Sequence, residues 1–194
     1  MARQAERKVA HRTAILDAAE QLMARSGDDV SVEAIADRAG LAKGTVYNHF
    51  ANKDALMRAV ARRVREAVAT KVAAAVNQID DAPGRLAAGM DVYLALARED
   101  PDRGAILVQL IQDSIDPGSP INAALLAEIE RGNARGELEA KPVHAAVTLV
   151  LAIVQAAMIT AMGNGSRPPD LHAAKVLVQF AIVALSAGRH QAKA

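Results

Sequence analysis

Ser31–Phe50, SVEAIADRAGLAKGTVYNHF, is the stretch whose reading decides the fold. It reads as two short helices joined by a tight turn at Gly40. Ser31 is a favourable N-cap, and Glu33 puts a negative charge in the first turn, where the helix dipole favours it. Ile35 and Ala39 lie four apart and share a face. Gly40 takes a left-handed conformation at low cost and so ends the helix; Leu41 starts the turn. Val46 and Phe50 are again four apart, and the spacing predicts that both anchor the second helix inward. At about 100° per residue, Gly44 and Asn48 then point to the far side, flanked by Thr45 and Tyr47, with Lys43 in the first turn. A helix that exposes Lys, Thr, Tyr, Asn and His within a few residues is a poor core element and a good surface for duplex DNA, as in a helix-turn-helix.

The chemistry of that surface divides into two parts. Gly44 has no side chain, so backbone can approach a sugar-phosphate wall closely. Thr45 and Asn48 carry the hydrogen-bonding groups that read base edges. Lys43, Tyr47 and His49 suit phosphate contacts, which position a protein without specifying sequence.

These residues also carry a family resemblance. AIADRAGLAKGTVYNHFANKDAL (Ala34–Leu56) closely resembles the DNA-binding signature of the TetR family of bacterial transcriptional regulators. The likeness extends back through TAILDAAEQLMARSG (Thr13–Gly27) and covers roughly the first 60 residues. Ile-Ala, Ala-Gly, Gly-Thr, Tyr, His-Phe and Lys fall in family order and spacing; beyond that only length and helicity agree. Ala42 departs from the pattern, since many members have Ser or Thr there to cap the recognition helix; the lost cap is worth on the order of 1 kcal/mol. The resemblance implies an all-α fold of about nine helices. An N-terminal three-helix DNA-binding domain (1–50) would be followed by a helical ligand-binding and dimerisation domain (51–194), joined by a long fourth helix over about 52–79. It implies DNA contacts at Ser31, Lys43, Gly44, Thr45, Tyr47, Asn48, His49 and Lys53.

Composition agrees with a helical protein. Of 194 residues, 52% are apolar and only 2% aromatic, so the core is aliphatic and rich in Ala. Cysteine is absent, which excludes disulfides and thiolate chemistry and suits a reducing cytoplasm. The N-terminal MARQAERKVAHR has no apolar h-region and is not read as a secretory signal. Residues 1–65 hold 12 Lys and Arg against 8 Asp and Glu, whereas the remainder hold 11 against 14. The basic end thus coincides with the helix-turn-helix. Arg3, Arg7, Lys8 and Arg12 suit a basic arm or a soluble frayed end, while Arg62, Arg63 and Arg65 read as a solvated face.

Periodicity and punctuation predict helices over 8–26, 31–39, 42–48, 52–79, 85–98, 102–115, up to 131, 143–162 and from Asp170 to Gly188. Breaks fall at 80–84, 99–101, 116–120 and 163–169, with a polar connector at 132–142. Val143–Met162 is 20 residues without a formal charge, long enough to span a bilayer. His144, Thr148, Gln155, Thr160 and its many Ala residues favour a buried helix instead, and no membrane partner is expected.

The second half yields two expectations. The last two helices are long and apolar, and the resemblance implies that they pair with their symmetry mates as a four-helix bundle; Val147, Leu151, Val154, Met158, Phe180 and Val183 are the expected interface. A two-fold dimer presents two reading helices to successive major grooves, so its operator should be a near-palindrome. The resemblance also implies a small-molecule effector site among the middle helices, for which Met90, Tyr93, Leu94, Leu107, Leu110, Ile111 and Gln155 are the candidates. Few aromatic platforms remain after Phe50, which favours an aliphatic or acyl-like effector; Asp91 and Asp113 would suit a cationic one. No metal site or cofactor is expected, because the five histidines show no ligand spacing. No catalytic constellation stands in the chain, so an enzyme is not expected. The leading reading is a ligand-responsive repressor. The alternative is a small-molecule-binding or sequestering helical protein without specific DNA binding.

Overall fold

A computed structural model of the chain describes residues 2–112, 120–163 and 166–186. Nine α-helices and one 3-10 turn (Gly27–Asp29) are seen among these residues: α1 (Ala2–Ser26), α2 (Val32–Ala39), α3 (Lys43–Tyr47), α4 (Lys53–Val76), α5 (Ala82–Glu99), α6 (Pro101–Gln112), α7 (Pro120–Ala134), α8 (Val143–Met162) and α9 (Leu171–Ser186). Asp113, the expected loop at 116–119 and the tail from residue 187 lie outside the described residues.

Side-chain caps set several of these starts. Ser31 accepts a hydrogen bond from the Ala34 amide at 3.1 Å, Asn52 from Ala55 at 2.8 Å, Asp81 from Gly84 at 2.8 Å and Asp170 from Ala173 at 2.9 Å. Two helices are longer than the sequence suggested. α1 begins at Ala2, so Arg3, Arg7, Lys8 and Arg12 lie on a helix and do not form an arm. α5 begins at Ala82 because Pro83 sits in its first turn, where a missing N–H costs nothing.

Contacts divide the chain into two compact units, residues 1–67 and 68–194, so the division falls inside α4 and not at residue 50. In the first unit α1 packs on α2, and α2 on α3. Its core holds Ile15, Ala19, Ile35, Val46, Leu56, Val60 and Val64. Arg63 is not on a solvated face: it bridges to Asp17 at 2.6 Å and to the buried Glu20 at 3.1 Å, tying α4 to α1.

In the second unit α8 packs against α5, α6, α7 and α9. Gly104 permits a close approach there, since a Cβ at that position would meet Met162 Sδ at 2.8 Å and Ala97 Cα at 2.9 Å. α8 is long and apolar enough to cross a membrane, yet 44% of its most apolar window is buried inside this unit. That burial corrects one expectation. Val147, Leu151, Val154 and Met158 face the chain's own core and not a free surface. The outward face of α8 carries Ala145, Leu149, Ala152, Ala156 and Ile159, at alternating spacings of four and three. On α9, by contrast, the expected Phe180 and Val183 are 64% and 61% exposed, next to a part-exposed Val176.

The connector between α7 and α8 is more ordered than its polar sequence suggests. Asn133 donates to the Ala140 carbonyl at 3.0 Å and accepts from the Ala140 amide at 2.9 Å, and Leu138 and Ala140 are buried.

Candidate nucleic-acid interface

The turn between α2 and α3 is built as the sequence required. Gly40 adopts φ 66°, ψ 32°, and the Leu41 amide donates to the Ala36 carbonyl at 2.9 Å, closing the end of α2. Ala42 occupies the N-cap of α3 with no side-chain bond, so this cap is absent, as its sequence predicts. Val46 is 1% exposed and Phe50 6%, and both hold α3 from its inner side. The Asn48 amide donates to the Gly44 carbonyl at 3.1 Å, and the Phe50 amide to Val46 at 2.9 Å, carrying the helical path past Tyr47.

With the inner side fixed, the outer side presents the predicted groups. Lys43, Gly44, Tyr47 and Asn48 are exposed; Thr45, His49 and Lys53 are half-buried. A Cβ on Gly44 would meet nothing within 4 Å, so its outward surface is open. Tyr47 is 45% exposed, a large aromatic left in solvent on a helix whose other anchors are buried. Ser31 is exposed, with its hydroxyl oxygen engaged in the α2 cap.

The charges on this surface are organised. The Lys43 ammonium pairs with the Glu33 carboxylate and lies 5.9 Å from the Tyr47 ring centroid. The bond to Lys43 lowers the Glu33 pKa, and the bond to Glu33 raises that of Lys43. His49 meets His11 of α1 edge-on, with ring centroids 6.2 Å apart. Its pKa lies below the ordinary histidine value, first through burial and then through the nearby basic side chains His11, Lys8 and Arg12. The Arg12 guanidinium stacks 4.6 Å from the Phe50 centroid. The reading from sequence missed Arg58 of α4; together with Arg12 and Arg62 it lines a cleft beside Phe50. The only hint was a recurrence of Arg58 and Arg62 at helical spacing.

The effector candidates lie in the second unit. Met90, Leu94, Leu107, Leu110 and Ile111 are buried where α5, α6 and α8 pack. Tyr93 is half-buried, and burial raises its pKa. Gln155 donates to the Val108 carbonyl at 3.2 Å. Among the described residues no group of three or more His, Cys, Asp or Glu could hold a metal ion.

An exposed polar helix, fixed by two buried anchors behind a glycine turn, defines a helix-turn-helix DNA-binding protein. Residues 15–60 match the family model described as bacterial regulatory proteins, tetR family. A TetR family protein from Vibrio parahaemolyticus superposes with a TM-score of 0.65 at 26% identity, over 90% of this chain and 98% of that one. A TetR family transcription regulator from Shewanella sp. PV-4 gives 0.75 at 24% identity, over 91% and 98%. The fatty acid degradation regulator FadR from Bacillus halodurans gives 0.73 at 19%, over 88% and 94%. A search among curated proteins finds no match. Residues 15–60 thus carry the match to the TetR-family DNA-binding model, and the chain shares its fold with solved TetR-family regulators.

Proposed function

We propose that this regulator is a homodimeric repressor, acting in the cytoplasm, that binds a near-palindromic operator and is released by a small-molecule effector. The observation that carries the DNA half of this reading is the outer side of α3. Thr45 and Asn48 read base edges there, and Lys43, Tyr47, His49 and Lys53 grip phosphates. The Lys43–Glu33 pair is exposed on both sides, so a phosphate can compete for the ammonium at small cost.

The dimer half is supported by two apolar stripes on the second unit. Leu149 and Ile159 on α8, with the intervening alanines, and Val176, Phe180 and Val183 on α9 leave a large apolar area in solvent. Spacings of four and three along each helix suit packing against another helix pair. A patch of this kind on a soluble regulator marks an association surface. The revised interface is therefore Leu149, Ile159, Val176, Phe180 and Val183.

The second unit would also hold the effector, at Met90, Tyr93, Leu94, Leu107, Leu110, Ile111 and Gln155. Five of these seven residues are apolar and non-aromatic, which favours an acyl-like ligand oriented by the Tyr93 hydroxyl. The similarity to a fatty acid degradation regulator points the same way. The test is a mobility shift with DNA flanking the regulator's own gene, with random duplex as competitor, followed by medium-chain and long-chain acyl compounds. A specific shift reversed by an acyl compound is expected. A specific shift insensitive to every acyl chain would overturn the effector class.

A further inference from the structure

A cleft of about 440 Å³ opens on the first unit, between α1, the residues after α3 and the first turns of α4. Its walls are Arg12, Arg58, Arg62 and His49, over an apolar floor that includes Phe50 and Ala55. No carboxylate lines it. The contrast with the next residue on α4 is informative. Arg63 is matched by two carboxylates, Asp17 and Glu20. Arg62 has only a loose contact to Glu66 at 3.8 Å, and Arg12 rests on the Phe50 ring.

Three arginines open on one cleft that no carboxylate lines, with Glu66 only partly offsetting Arg62, and low-dielectric walls focus the resulting positive potential into the concavity. Guanidinium groups match phosphate oxygens by bidentate hydrogen bonds, and His49 adds a further donor. The apolar floor suits the less polar body that carries the phosphate, such as a sugar. We infer that this cleft is a phosphate-binding site beside the outer side of α3, with which it shares His49. The phosphate belongs either to the backbone of bound DNA or to a free phosphate-bearing molecule. The first source rests on the DNA-binding reading above, and the second does not.

Two titrations of the full chain test this. In the first, affinity for a short random-sequence duplex is measured across salt concentrations. If the cleft seats a backbone phosphate, the Arg58→Gln/Arg62→Gln variant lowers the slope of log affinity against log salt by about 0.9 for each phosphate it no longer neutralises. Arg98→Gln, which removes an exposed charge on α5, leaves the slope unchanged. In the second, sodium pyrophosphate is titrated without DNA, and the arginine side-chain N–H resonances are followed by NMR. Saturable shifts at Arg12, Arg58 and Arg62, abolished in the double variant, with an unchanged DNA slope, assign the cleft to a free phosphate compound. An unchanged slope and no saturable shift overturn the inference. If the wild-type chain binds no duplex at all, the DNA reading has failed, and the pyrophosphate titration alone decides the cleft.

Discussion

Replacing Phe50 by Ala tests whether α3 is held from behind as described. Phe50 is 6% exposed, so nearly all of its side-chain area leaves water on folding. Truncation of a buried Phe to Ala costs about 3–5 kcal/mol, through reduced transfer energy and the cavity left behind. Phe50 lines the open arginine-lined cleft, so water can enter and the lower end of that range applies. The stacking of Arg12 on the ring also disappears, worth about 0.5–1 kcal/mol at a part-exposed site. A loss of about 3 kcal/mol raises the open population by more than a hundredfold, at 1.36 kcal/mol per factor of ten. Amide hydrogen exchange with mass spectrometry reads this directly. Peptides covering residues 43–50 and the α1 core around Ile15 should exchange more than a hundredfold faster, while α8 peptides keep their protection. A change of less than tenfold at residues 43–50 would refute the anchoring argument. Equal acceleration in α8 would refute the division into two units.

Other perturbations address the surface, the charge and the assembly. Tyr47→Ala should weaken binding to every duplex several-fold without altering the oligomer, as seen by fluorescence anisotropy; unchanged affinity removes Tyr47 from the contact set. Asn48→Ala should reduce discrimination between operator and random DNA by about 1–3 kcal/mol per base read; equal weakening of both would make Asn48 a phosphate contact. His49 has a depressed pKa in the free protein, and a nearby phosphate raises it, so the complex holds more proton than the free chain. Affinity should therefore increase as pH falls through and below the ordinary histidine value of 6.5, and level off below the free protein's own pKa. His49→Gln should remove that dependence, and a wild-type pH profile indistinguishable from the variant's would contradict the sign. Phe180→Asp with Val183→Asp should convert the protein to monomer in sedimentation velocity; an intact dimer would place the interface elsewhere.

Local signals were legible in the sequence and distant ones were not. Ser31, Gly40, Asn52 and Asp170 act on backbone within a few residues, so their caps and turns could be read directly, whereas the cap at Asp81 fell inside a predicted break. The inward pair Val46 and Phe50 was equally plain, because the rest of α3 is polar. α8 offered no such contrast. With apolar residues all round, its pattern gave no direction, and the residues read as interface proved to be core. Large aliphatics such as Val147 and Leu151 went inward, while alanines with Leu149 and Ile159 were left outside. The partners of Arg63 lie 43 and 46 residues away, a separation at which spacing carries no information. Arg12 and Arg58 likewise come to line one cleft only through the fold.

Selection from a randomised duplex pool, followed by binding at two salt concentrations, tests the central claim most directly. The account predicts one enriched near-palindrome whose half-sites lie about one helical turn apart or a multiple of it, bound by two chains and weakened steeply by salt. Recovery of no motif, with wild type and Asn48→Ala binding all duplexes alike, would contradict it.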